Sequence, residues 1–270
     1  MRQWFLSVEK EPRPGPWNMA ADEYLFHLAE ERPPLTFLRF YRWIRPTVSL
    51  GYYQDAGRVV DADFCAEHGI DIVRRPTGGK LVLHDREVTY SIASSDSEVF
   101  TETLRGSYRM ISRALLRGLE LMGVKASMAE TSPQAYVKGD MPCFAHPARD
   151  EVEAGGKKII GSAQKRTGGV FLQHGSIPLE SNRELLAGAA GPAGEGPSRG
   201  VGMTSIMEEL GRPVEFDQAV EFFVQGFLDV FGVSFDLFNP SPLDLKLIDA
   251  LEKERYASPE FTFLRRPAGR

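Results

Sequence analysis

A cysteine and a lysine stand 15 residues apart in the middle of the chain. Cys143 sits in Pro142-Cys143-Phe144, and Lys158 in the glycine-bracketed run Gly156-Lys157-Lys158-Ile159-Ile160-Gly161-Ser162-Ala163-Gln164. A thiolate is a strong nucleophile, and a neighbouring ammonium lowers the pKa of its thiol. If the fold joins them, the pair is an acyl-transfer site. If not, Cys143 is one more buried thiol. His146 lies two residues on, and side chains at i and i+2 of extended backbone share a face, so a Cys/His dyad is a second arrangement. Lys158 reads as either an exposed strand residue or one turned inward. An inward ammonium needs a partner, and an acyl carbonyl, a phosphate or a thiolate would each serve.

A second candidate is Arg74-Arg75-Pro76-Thr77-Gly78-Gly79-Lys80-Leu81-Val82-Leu83-His84-Asp85. Adjacent glycines let a backbone approach a ligand and aim amides at it. The segment is neither a GxGxxG nor a P-loop, and by itself it reads as a hairpin turn. His84 ends an apolar stretch. It fits an acid/base group, an orienter of an acyl carbonyl, or a strand-end histidine satisfied by a backbone carbonyl. His174 reads as a packing residue. Arg105, Arg109, Arg113 and Arg117 recur every four residues and form one basic helix face. Such a face is ordinarily solvated, but it also suits docking of an acidic carrier.

The elements that must position these groups follow from pattern. Trp4–Val8, Leu35–Tyr41, Thr47–Gly51, Ile70–Arg74, Lys80–Leu83 and Glu87–Ala93 read as strands. Lys157–Gln164 and Val170–Pro178 read as a hairpin turning at Thr167-Gly168-Gly169. Asn18 is expected to cap a helix over Met19–Glu30, Asp61 a short helix ending at Gly69, and Thr101 a long one to Met122 that stops at Gly123. Val137–Phe144 reads as a loop. The Gly/Ala/Pro/Ser-rich stretch 187–202 reads as a mobile surface loop. Helices are expected near Thr204–Leu210, Phe216–Val230 and Leu243–Glu254. Strands with interspersed helices, then a helical C-terminal third, make an α+β fold with a mixed sheet.

Bulk properties narrow the class. The chain has 270 residues, 42% hydrophobic and 26% charged, so a sizeable core is available and global disorder is not expected. A net charge of −5 argues against a nucleic-acid binder. Two cysteines, Cys65 and Cys143, make no metal-type spacing. Cys65 lies in a helix-like segment where a small buried thiol packs well. The N-terminus has no apolar signal region and no run approaches membrane-spanning length. The expectation is a cytoplasmic protein with reduced thiols and no membrane partner.

Read together, these segments resemble the biotin/lipoate ligase and transferase superfamily (BPL/LPL). Within it they look most like the cysteine-type octanoyltransferases related to lipoate–protein ligase A. The resemblance rests on Asn18-Met19-Ala20-Ala21-Asp22-Glu23, Pro46 to Gln54, Arg74 to Asp85, Gly156 to Gln164, Leu172 to Ile177 and Glu252 to Arg266, in that order over nearly the whole chain. Two details favour the transferase branch. Lys80 and Leu81 follow Gly-Gly where ATP-using ligases usually carry a third glycine and a small residue. Pro142-Cys143-Phe144 stands where ligases typically have Asn-Asp.

The resemblance implies a single catalytic domain over 1–270, with a mixed, mostly antiparallel sheet flanked by helices, like the core of class II aminoacyl-tRNA synthetases and biotin ligases. It implies Cys143 as acyl-thioester nucleophile and Lys158 as the lysine that lowers its pKa. Arg75, Thr77, Gly78, Gly79, His84, Gly161, Ser162 and Ala163 become acyl- and substrate-binding candidates. Leu81, Leu83 and Tyr90 are candidates for the wall of an apolar tunnel. The donor is octanoyl-acyl carrier protein. The acceptor is a lipoyl-domain protein, such as the glycine cleavage H protein or a 2-oxoacid dehydrogenase E2. No ATP or metal is expected. An ATP-dependent lipoate ligase, an octanoyl amidotransferase between lipoyl proteins and a non-catalytic carrier-binding protein are the alternatives.

Overall fold

The computed structural model describes residues 3–31, 34–100, 103–130, 150–191 and 202–264. Its largest element is a six-stranded sheet. In chain order the strands are β1 (Gln3–Val8), β2 (Leu35–Tyr41), β6 (Glu87–Ser94), β10 (Gly161–Thr167), β11 (Val170–Pro178) and β12 (Asp236–Leu237), and in space β10-β11-β6-β2-β1-β12. The pairs β10/β11, β11/β6 and β6/β2 are antiparallel, whereas β1 runs parallel to both β2 and β12. The sheet is thus mixed and mostly antiparallel, as the α+β reading expects.

Both faces are covered, which is why β2, β6 and β11 are buried along their whole length. Alternate residues point to opposite faces. Leu38, Phe40, Tyr90 and Ile92 meet Ile111, Leu115, Leu119, Phe223 and Phe227 of two long helices, α4 (Leu104–Met122) and α7 (Phe216–Phe231). Phe37, Ala93 and Leu172 meet Leu25, Phe26 and Ala29 of α1 (Gly15–Glu31) on the other face. The two long helices touch through glycine: a Cβ on Gly226 would lie 2.3 Å from the Ala114 carbonyl oxygen, and one on Gly118 2.6 Å from the Phe223 ring.

Two three-stranded sheets complete the frame. The first has the order β4-β3-β5, from β3 (Thr47–Leu50), β4 (Asp71–Arg74) and β5 (Val82–His84). The strands β4 and β5 flank β3 on opposite sides, so Arg75–Leu81 is not the hairpin turn suggested by Gly-Gly. It is a loop that crosses the end of β3. The second sheet has the order β7-β8-β9, from β7 (Ala126–Met128), β8 (Val152–Ala154) and β9 (Lys157–Lys158).

Several elements differ from the sequence expectation for physical reasons. The first helix starts at Gly15, and Asn18 is buried within it rather than capping it. Its amide nitrogen donates to the Arg13 and Arg42 carbonyls at 3.3 and 3.1 Å, and its oxygen accepts from Arg39 at 2.8 Å. Pro16 is tolerated because a first helical turn needs no N–H there. Thr103, not Thr101, caps α4, while Gly123 ends it with φ 94° as expected. An extra short helix, α2 (Ala56–Val59), precedes α3 (Ala62–Glu67), which Asp61 caps as expected. Residues 187–189 are not loop: they close α5 (Arg183–Ala189), whose Leu186 and Ala189 are buried. Residues 192–201 lie outside the described residues.

Lys157 and Lys158 do not belong to the hairpin strand. They pair with β8, and β10 begins only at Gly161. Ile159 and Ile160, both buried, lie between the two strands and belong to neither.

The C-terminal part is helical, with α6 (Ile206–Leu210), α7, α8 (Pro242–Leu251), a π-helical turn over Glu252–Tyr256 and α9 (Pro259–Leu264). Cys65 is buried on α3 as expected, and burial together with Asp61 pushes its thiol up to about 11. Among the described residues no helix is long and apolar enough to cross a membrane.

Candidate active site

A cavity of about 190 Å³ opens where the small β4-β3-β5 sheet meets the β10/β11 hairpin. That is roughly ten times the space one water needs. Its wall draws on several elements. Ser49 and His84 lie on β3 and β5. Arg75, Gly79 and Lys80 belong to the crossing loop. Gly161, Ser162 and Ala163 open β10. His174, Gly175 and Ser176 lie opposite them on β11. Met19 and Tyr41 close the inner side, and Val82 and Thr89 complete the wall.

The loop is held from inside by Arg75. Its guanidinium donates to the Ser49 carbonyl (2.9 Å), to the Gly78 carbonyl (2.8 and 3.1 Å) and to the Lys80 carbonyl (2.7 Å). A planar fork with several donors is suited to pinning a tight loop. Gly79 has φ +89°, and a Cβ on Gly51 would sit 1.9 Å from the Gly79 carbonyl oxygen. Glycine at 51 and 79 therefore lets the loop lie against β3's end, with Gly79 on the cavity.

Two histidines line the cavity, each in a three-residue array. On one side Thr77 Oγ1 lies 2.6 Å from His174 Nε2, and His174 Nδ1 lies 2.9 Å from Asp22 Oδ2. Asp22 also accepts from Arg39 (2.7 Å) and from the Tyr41 hydroxyl (2.9 Å). Burial holds His174 below the usual imidazole value, only partly opposed by Asp22. Burial alone would raise Asp22, but the hydrogen bond from His174 and the charge of Arg39 outweigh it, and its carboxyl is lowered. The neutral imidazole therefore donates from Nδ1 and accepts the Thr77 hydroxyl at Nε2.

On the other side Ser49 Oγ lies 2.8 Å from His84 Nε2, and His84 Nδ1 lies 2.7 Å from Glu87 Oε1. The Trp43 ring stacks on His84 at 4.2 Å.

Of the residues singled out from sequence, Arg75, Gly79, His84, Gly161, Ser162 and Ala163 line this cavity. Thr77 stands one hydrogen bond behind it through His174, and Gly78 contributes the carbonyl that Arg75 grips. The tunnel candidates do not line it. Leu81 and Leu83 pack in the core of the small sheet, and the Tyr90 hydroxyl hydrogen-bonds Ser162. Met19, Tyr41, Val82 and Ala163 supply the apolar wall. Lys158 is fully buried three residues before Gly161 and donates to Glu151 Oε1 at 2.8 Å. Cys143 and His146 lie outside the described residues.

Ser49 and Asp22 lie in segments that carry the family resemblance but were not singled out, Glu87 and Glu151 carried no signal, and His174 is a polar hub rather than packing. Three arginines of the α4 face are matched by acids, Arg105 and Arg109 by Asp150 and Arg117 by Asp229.

The family model for the lipoyl protein ligase A/B catalytic domain matches residues 14–228. The chain belongs to that family. Among its lipoyl ligase A/B relatives, a protein of Oceanobacillus iheyensis named octanoyltransferase LipM is 37% identical over 266 residues, covering 95% of this chain and 96% of the relative. One of the same name from Kyrpidia tusciae is 39% identical over 229 residues, covering 80% and 83%. Among solved structures, lipoate-protein ligase A bound with ATP superposes with a TM-score of 0.81 at 22% identity, over 97% of this chain and 98% of that one. A bi-partite lipoate protein ligase from Thermoplasma acidophilum gives 0.80 at 21% identity, over 97% of each. These two likenesses establish the family's fold for this chain.

Proposed function

We propose that the chain is an octanoyltransferase that moves an octanoyl group from octanoyl-acyl carrier protein to the lysine of a lipoyl domain, in lipoate biosynthesis. The observation that carries this is the near full-length similarity to proteins named octanoyltransferase LipM. The glycine cleavage H protein and 2-oxoacid dehydrogenase E2 are the acceptors to test.

The reaction proceeds by thiol exchange. The Cys143 thiolate attacks the donor thioester, the carrier's thiol leaves, and an octanoyl-Cys143 enzyme remains. Thioester for thioester is nearly isoenergetic, so no ATP or metal is required. Lys158⁺ favours the thiolate and attracts the developing oxyanion. Its burial supports that role, because a desolvated ammonium acts strongly on a neighbouring charge. The cavity walled by Gly79, Val82 and Ala163 receives the acyl chain and thioester. The lipoyl lysine then takes the acyl group as an amide. One nucleophile serves two half-reactions, so the kinetics are ping-pong.

Intact-protein mass spectrometry after mixing with octanoyl-acyl carrier protein, without ATP or acceptor, tests this. A hydroxylamine-labile gain of one octanoyl group, lost in Cys143→Ala, is expected. No adduct without ATP, but lipoyl transfer with ATP and lipoate, would make the protein a ligase. Loading only from an octanoylated protein would make it an amidotransferase.

A further inference from the structure

The hydrogen bonds around His84 share one direction when its imidazole is neutral. Arg75 Nη1 lies 3.1 Å from Ser49 Oγ, and an arginine can only donate. Ser49 therefore accepts from Arg75, and toward an unprotonated His84 Nε2, 2.8 Å away, its own O–H is the donor. On the far side Trp43 Nε1–H donates to Thr89 Oγ1 at 2.7 Å, so the Thr89 hydroxyl donates onward to Glu87. The Ser176 hydroxyl also donates to Glu87, and so does His84 Nδ1 at 2.7 Å. Glu87 thus accepts from three donors. The imidazole is thus held as the Nδ1–H tautomer, with a basic Nε2 turned to a hydroxyl on the cavity wall. This polarity is that of a nucleophile–base–acid array.

We propose that Ser49 and His84 form the proton relay that deprotonates the incoming lipoyl lysine, with Glu87 as positioning residue. This rests on the octanoyl-transfer reading. The acceptor arrives as an ammonium and cannot attack until it loses a proton. One ammonium proton passes to Ser49 Oγ as the Ser49 proton passes to His84 Nε2, leaving a neutral amine and an imidazolium facing Glu87. The amine nitrogen attacks the thioester carbonyl. The N–C bond forms, the C–S bond breaks, and the nitrogen's surplus proton goes to the departing sulfur as the Cys143 thiol. His84 then returns its proton to solvent.

Arg75 and Lys80 on the crossing loop and His174 on β11 line the same cavity as the ring, and Glu87 holds its far side.

The test isolates octanoyl-enzyme of the wild type, Ser49→Ala and Glu87→Gln, and measures thioester loss to two nucleophiles. Hydroxylamine is already neutral near pH 7 and needs no relay. Transfer to a lipoyl domain does. The expected result is transfer slowed about 10²-fold or more in both variants, with hydroxylamine cleavage within about threefold of wild type. Equal slowing with both nucleophiles would make the array structural and overturn the relay, as would unchanged transfer. If wild-type enzyme forms no acyl adduct, the octanoyl-transfer reading fails instead.

Discussion

Lys158 and Glu151 form an ion pair at 2.8 Å with the lysine side chain fully buried and the glutamate only 6% exposed. The carboxylate answers how an ammonium is accommodated inside the protein, since a buried charge without a partner is costly. It also sets how much of that charge is left to act on a thiol. Lys158→Met should cost about 3–5 kcal/mol, because it breaks a buried ion pair on one side, and the double variant with Glu151→Gln should be less destabilised than the two single losses added together. Urea unfolding of the four proteins gives the coupling.

The same pair makes opposite predictions for the nucleophile. Lys158→Met should raise the pH at which Cys143 alkylation is half-complete. Glu151→Gln removes the compensating carboxylate and should lower it. The rate of iodoacetamide labelling against pH, followed by peptide mass, reads both. Two unchanged profiles would separate the lysine from the thiol.

Cys65 provides the internal control for that experiment. Its thiol is buried and pushed up to about 11, and the thiolate is the reactive form. At pH 8 native protein should therefore label at one cysteine, and Cys143→Ala at almost none. Both thiols should label after denaturation.

Acid should loosen the cavity through His174 and Asp22. His174 is held below its ordinary value by burial. The unfolded chain thus binds the proton more readily, and the stability from a neutral His174 is present above about pH 6.5. It is lost as pH falls below that toward the folded value. Asp22 is lowered too, so its contribution is present above about pH 4 and lost further down. Melting temperature against pH should fall below pH 6.5, and His174→Gln should flatten the upper part of that fall.

Gly51→Ala tests the crossing loop. The new methyl would need space now held by the Gly79 carbonyl, 1.9 Å away, and backbone cannot swing aside as a side chain can. We expect a cost of about 1–3 kcal/mol and acyl loading reduced at least tenfold. Far smaller loss of loading would mean that the loop's position is not critical to the cavity.

The sequence was informative where chemistry is local. The β10/β11 hairpin shows itself through a run ending in Thr-Gly-Gly, and Gly78-Gly79 marked a loop that does reach the cavity. The partners of those groups were hidden by distance. His174 finds Asp22 across 152 residues, and Ser49 meets His84 across 35. Neither separation leaves a periodic trace. Lys158 was placed on the wrong strand because Gly161, the start of β10, looked like part of one continuous run.

Arg74 has a consequence for how the enzyme is made. Its buried guanidinium donates to the carbonyls of Phe261 and Thr262 in α9, and to those of Gly51, Tyr52 and Gln54 beside the crossing loop. The two partners in α9 are up to 188 residues away, and they lie beyond residue 228, where the family match stops. Domains fold as units behind the ribosome, with early segments waiting for late ones. A nascent chain halted before α9 would carry both histidine arrays and still lack the clasp that fixes the rim of their cavity, so that rim is set only after α9 has emerged.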